Sequence, residues 1–165
     1  MKLQERIERM EKELAVLKAS VVAQQVEWPS VDDSYWTIQA HGAVLTYRFY
    51  DDKFHRDMLE IGNIFRTEEE AEREVERLKV LTQLRKLAKA AWGGVQCNWQ
   101  ITTNKWCVQY THVRREWIIS HAYNTEAPGV VYFPSEKSTH DAIRTIGADR
   151  MMLLLEDWTS MKGAK

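Results

Sequence analysis

Several things are scarce in this chain of 165 residues. It has three prolines, seven glycines and two cysteines, and a formal net charge of -1. So little proline and glycine argues against a linker or low-complexity protein. Two cysteines do not make a disulfide framework. Cys97 and Cys107 fall on neighbouring predicted strands and are expected as buried free thiols. The absence of a basic excess matters most. Residues 1–30 carry five basic and five acidic groups, residues 31–90 ten and twelve, and residues 91–165 eight and seven. A surface that lives on nucleic-acid phosphate needs local positive charge, and here folding alone would have to gather it. No apolar run approaches the length of a membrane span, and the amino terminus lacks the apolar core of a secretory signal. The expectation is a soluble cytosolic protein without membrane contact.

Catalytic motifs are also missing. There is no phosphate-binding Gly-x-x-x-x-Gly-Lys loop, no nucleophile elbow, no Cys-x-x-Cys pair and no His-Glu-x-x-His helix. His41, His55, His112, His121 and His140 show no metal-ligand spacing. Cys107 with His112 and His121 could converge on adjacent strands, but their spacing does not impose a zinc site. Glu68, Glu69 and Glu70 read as the first turn of a helix, where the dipole favours negative charge. The chain is therefore expected to be non-enzymatic, with no cofactor and no metal.

What the chain does have is hydrophobic patterning, 44% apolar residues and seven tryptophans. Leu3, Ile7, Met10, Leu14, Leu17 and Val21 recur at alternating steps of four and three between charged flanks, the seam of a short coiled coil. Three heptads are not stable alone, so a second subunit or the body of the protein must cover the stripe. Trp28 and Pro29 break the pattern, which favours an arm over residues 1–26 that joins copies of the chain through residues 1–24.

Beyond the arm, two stretches share one order of elements. Ser34-Tyr35-Trp36-Thr37-Ile38 opens the first, which ends in Gly62-Asn63-Ile64-Phe65-Arg66-Thr67-Glu68 and a helix. Cys97-Asn98-Trp99-Gln100-Ile101 opens the second, which ends in Gly129-Val130-Val131-Tyr132-Phe133-Pro134-Ser135-Glu136 and a helix. The fold class expected is α+β: a coiled-coil helix followed by two sheet-plus-helix repeats with antiparallel strands, at 27–92 and 93–165. In the first, 35–40 and 43–50 read as strands, 54–61 as a third strand or crossing segment, and 68–91 as a long helix. Thr67 and Glu70 would form its capping box and Gly93-Gly94 its stop. In the second, 98–103, 105–113, 117–123 and 129–133 read as strands. A helix from Ser135 to near Gly147 follows, then a last helix over 149–161 that includes Trp158.

Alternation places Trp106, Val108 and Tyr110 on one face, matched by Trp117, Ile119, His121 and Tyr123 on the neighbouring strand. Trp36 and Trp99 read as equivalent anchors between sheet and helix. Arg114 and Arg115 sit in the turn beside Trp117, Lys105 lies at the far turn, and Arg48 is on the outward face of the first sheet. Arginine beside aromatics suits phosphate and base recognition, so Arg114, Arg115, Trp117, Trp106, Tyr110, Lys105 and Arg48 are the candidate binding residues. The competing reading is a solvated hairpin tip over an ordinary core.

Two resemblances follow from these motifs. The run from Gly62 to Glu72, and Tyr132-Phe133-Pro134-Ser135-Glu136, resembles the strand-to-helix junction of the plant AP2 and phage-integrase arm-binding domains, three-stranded sheets backed by one helix. In that family the sheet enters the DNA major groove, which implies Val44, Thr46 and Arg48 as outward residues. The arm, the Trp-x-Ile strand, the Gly62–Glu72 junction and the late Ala142-Ile143-x-x-Ile146-Gly147 together resemble small phage and prophage accessory proteins. That resemblance implies a setting in the host bacterial cytoplasm and action by binding. The expected function is an oligomeric phage binding protein that blocks a host component, such as a defence-system protein or its signalling nucleotide. The alternatives are a DNA- or RNA-binding regulator and a virion or assembly protein.

Overall fold

The computed structural model of the chain describes residues 7, 10–14, 28–95, 97–100 and 103–155. The fold is α+β, with two small antiparallel sheets and associated helices. Among the described residues no helix is long and apolar enough to cross a membrane. Ile7, Met10 and Leu14 lie in helical backbone and are exposed; Leu3, Leu17 and Val21 fall outside the described residues. By internal contacts the chain divides between Ala71 and Glu72.

In the first unit β1 (Ser34–Ile38) pairs with β2 (Val44–Arg48) in a register that sets Tyr35 against Tyr47 and Trp36 against Thr46. The other edge of β1 is closed by two different devices. Phe65 exchanges both backbone hydrogen bonds with Trp36, and the Asn63 side-chain amide bonds both the N–H and the C=O of Ile38. Asn63 thus replaces a strand residue with its side chain, satisfying backbone groups that would otherwise lack a partner.

The segment expected as a third strand or crossing segment is a helix, α1 (Lys53–Glu60). Local signals outweigh its apolar content. Asp52 accepts from the His55 N–H at the amino end, Lys53 pairs with Asp57 one turn on, and Gly62 closes the carboxyl end. There φ is +72° at Gly62, its N–H bonds Leu59 and the N–H of Asn63 reaches Met58. One face of α1 is tied to the sheet through His55, whose ring is buried against Tyr35, Phe49, Tyr50 and Phe54.

The long helix α2 (Glu68–Ala91) has the expected bounds. The Thr67 hydroxyl accepts from Glu70 N–H, while the Glu70 carboxylate reaches back one residue further than a reciprocal box, to Arg66 N–H. Gly93 and Gly94 end it with the same pair of reversed hydrogen bonds as α1, to Ala90 and Lys89. Along it Val80 is fully buried, whereas Leu78 and Ala91 are exposed.

In the second unit β3 (Lys105–Thr111) lies between β4 (Glu116–Ala122) and β5 (Tyr132–Phe133). α3 (Glu136–Ile146) follows, capped by Ser135 with Ser138 in a reciprocal box, then α4 (Ala148–Met151) and a 3-10 turn at Met152–Leu154. Trp158 and the rest of the expected final helix beyond residue 155 fall outside the described residues. The core joins Val80, Leu84 and Ala88 of α2 to Phe133, Ala142, Ile146 and Met151. That packing is why most of α2 groups with the second unit, where the sequence had suggested a boundary at 92/93.

Residues 97–100 are not a strand, contrary to expectation, and 101–102 fall outside the described residues. Asn98 bonds the Gln100 N–H through its side chain, a local turn that competes with extended structure, and Trp99 folds edge-on against Tyr132 at 4.8 Å between centroids. Cys97 therefore is not on a strand beside Cys107; both are free thiols. Trp106, not Trp99, pairs with the Phe133 that precedes the helix cap.

Candidate functional site

The paired strands β3 and β4 bring together the aromatic row that alternation anticipates. Trp106 lies against His121 (5.1 Å between centroids) and Tyr110 against Trp117 (5.2 Å), with Val108 opposite Ile119 between them. Phe133 pairs with Trp106 and so points to the same side. This side packs on the core: Trp106, Val108 and Trp117 are half-buried against it, and the Trp117 indole donates to the carbonyl of Ala148 (3.2 Å).

Where that packing stops, a cleft of ≈ 470 Å³ opens within the second unit. Tyr110 and Trp117 form one wall. Arg77, Leu81, Leu84 and Arg85 of α2 form another, at the i, i+4, i+7 and i+8 positions that share a helix face. The segment 128–131 and residues Met151, Leu154 and Leu155 complete it. The volume suits a small molecule. Its two cations differ. Arg77 is held by a fork of bonds to Glu74 (2.6 and 2.7 Å). Arg85 lines the cleft, exposed, with no ion pair among the described residues. The cleft thus offers aromatic and aliphatic walls with one guanidinium that has no ion-pair partner among the described residues. Such a surface accepts a flat or apolar body bearing an anionic group.

The expected binding residues divide. Tyr110 and Trp117 line the cleft, and Trp106 shares their sheet face without reaching it. Arg114 and Arg115 are exposed at the β3–β4 turn and do not line it. Arg114 lies 3.7 Å from Glu116, and Arg115 takes a positive φ of 56°. Lys105 is at the other end of β3, about 20 Å along the strand from Thr111. It points to the opposite side from Trp106 and is fully buried, so the expectation of a surface contact there is overturned. Its ammonium donates to the carbonyls of Thr103 (2.9 Å) and Tyr123 (2.8 Å) and lies 5.4 Å from the Trp99 ring centroid. Those contacts stabilise a buried charge and leave it unsuited to an external ligand. Arg48 is exposed on β2 in the first unit.

Sequence reasoning missed Arg77, Arg85, Met151 and Leu155. The helical spacing of 77, 81, 84 and 85 was a usable signal; the approach of residues 151–155 had none. Among the described residues, no group of three or more His, Cys, Asp or Glu side chains could hold a metal ion. No protein-family model matches the chain, and no curated protein or solved structure matches it.

Proposed function

We propose that this chain is a non-enzymatic, phage-encoded binding protein that acts in the host cytoplasm by sequestering a small anionic ligand with a planar group. A signalling nucleotide fits that chemistry. The observation that carries the reading is Arg85, which has no ion-pair partner among the described residues, in a cleft walled by Tyr110 and Trp117. A ring stacked on an aromatic wall contributes about 1–3 kcal/mol, and the guanidinium supplies the phosphate contact. Titration of the full chain with AMP, GMP and cyclic di-AMP, followed by calorimetry and Trp fluorescence, tests it. Binding of at least one, weakened about tenfold or more by Arg85→Ala, is the expected result. Absence of binding by all three removes the nucleotide reading.

A second reading places a protein or nucleic-acid partner on the hairpin tip, because Arg115 is exposed and has no ion-pair partner among the described residues. Replacing Arg114 and Arg115 by Ala separates the two. The cleft reading expects nucleotide binding to survive, and the tip reading expects partner capture to be lost. Steep weakening with salt would identify the partner as nucleic acid.

The same proposal includes two points of architecture. Residues 1–24 join copies of the chain, so their deletion lowers the number of copies per particle measured by light scattering. The two sheet-plus-helix units are copies of one unit. Support comes from Trp36 facing Phe65 and Trp106 facing Phe133, with the helix-capping Thr67 and Ser135 each two residues after the Phe.

A further inference from the structure

The other side of the second sheet carries a separate cavity of ≈ 490 Å³. Tyr132 faces it, since Tyr132 pairs with Cys107 and both point away from the side of Trp106 and Phe133. Trp92, at the end of α2, fixes one wall by donating its indole N–H to the Tyr132 carbonyl (2.9 Å). Trp99 stands edge-on to the Tyr132 ring and fixes another.

Two groups of opposite charge line the cavity, Lys89 from the last turn of α2 and Glu126 from the β4–β5 connection. Neither has a hydrogen bond or ion pair, with each other or with any other described residue. Lys105, which also acts on Cys97, is engaged by two carbonyls and the Trp99 ring. Burial raises the Cys97 thiol above its usual value, with Lys105 opposing and the Glu126 charge adding to the rise.

A simple anion entering here would meet Glu126, and a simple cation would meet Lys89; a ligand bearing both charges is attracted by both. We propose that this cavity binds a free amino acid with an apolar side chain. Lys89 takes the carboxylate, Glu126 takes the ammonium, and the side chain rests on Trp92, Trp99 and Tyr132. The walls are suited to both tasks, because indole faces attract ammonium groups and bury apolar surface. The volume lies within the range of small-molecule sites and exceeds what a simple ion fills.

Calorimetric titration of the full chain with L-leucine, L-methionine and L-phenylalanine tests the site. Saturable binding of at least one is expected below about 10 mM, a threshold weaker than ordinary small-molecule affinities. Its amide, which lacks the carboxylate, and the corresponding deaminated acid, which lacks the ammonium, should each bind at least about tenfold more weakly, the effect of losing one charge-assisted hydrogen bond. Lys89→Glu and Glu126→Lys should each abolish binding, and the double swap should restore it, because a zwitterion can reverse its orientation. Both residues are exposed, so the variants should keep the circular dichroism of the parent chain. Arg85→Ala should leave amino-acid binding unchanged, which distinguishes this cavity from the cleft. The proposal is overturned if none of the three amino acids binds, if amide or acid binds as tightly as its parent, or if the double swap fails to recover binding.

Discussion

Trp36 and Phe65 exchange both backbone hydrogen bonds, each 2.9 Å long, across the edge of β1 that β2 leaves open. Two residues along β1, the Asn63 side chain does for Ile38 what the Phe65 backbone does for Trp36, at 2.9 Å in both directions. The first sheet therefore has an outer partner made of one residue's backbone and another's amide. Asn63→Ala should leave an N–H and a C=O of Ile38 without protein partners and destabilise the chain by about 1–3 kcal/mol for each group that water does not reach. Urea denaturation checks this; an unchanged midpoint would show that the amide pairing contributes nothing.

Tyr35 offers the opposite sign. Its hydroxyl is buried and, with the Thr37 hydroxyl, has no hydrogen-bond partner among the described residues. Burial, with the nearby Tyr47 and Asp52, holds its phenol above the usual value, so it stays protonated and neutral at ordinary pH. Tyr35→Phe keeps the ring contacts to Tyr47, Phe49 and His55 while removing the orphaned hydroxyl. The expected result is a melting temperature equal to the parent's or higher, with a gain of up to about 1 kcal/mol. A clear loss of stability would reveal a hidden partner for that oxygen.

Lys105 should be intolerant of substitution. Lys105→Met preserves the apolar stem but withdraws the donor from the carbonyls of Thr103 and Tyr123 and the cation from the Trp99 ring. The expected destabilisation is about 1–3 kcal/mol per carbonyl left unpaired. Thermal unfolding followed by Trp fluorescence would report it, and a neutral result would contradict a structural role for the ammonium.

Asp52 confers a pH dependence of known sign. The His55 backbone N–H, then the His55 side chain, hold its carboxyl below the usual aspartate value. A carboxylate depressed in the folded state stabilises above its unfolded value of about 3.9, and that contribution is lost as pH falls through the lower folded value. Asp52→Asn keeps an N-cap acceptor without the titration. The parent should therefore lose stability relative to Asp52→Asn on acidification from about pH 5 to pH 2. Parallel curves over that range would count against it.

Local signals and tertiary contacts divide the legibility of this chain. Thr67, Gly93 and Ser135 mark helix ends through bonds made within a few residues, so α2 and α3 are readable from the sequence, as is the β3–β4 face through the alternation of Trp106, Val108 and Tyr110. The stretch 54–61, expected as a third strand or crossing segment, is mostly helical, because Asp52 and Gly62 act as its caps. Trp99 was misread because a Trp-x-Ile pattern does not show that Asn98 turns the chain back onto Tyr132.

By itself, then, the sequence determined the α+β class, the long helix and the pairing of aromatics across β3 and β4, all consequences of spacing and of interactions close along the chain. Only the tertiary structure decided that Lys105 is buried, that Arg85 and Trp117 line one cleft, and that Lys89 and Glu126 line one cavity. Those relationships join residues far apart in the chain. They depend on which surfaces pack together to remove apolar area from water, a choice that no local pattern encodes.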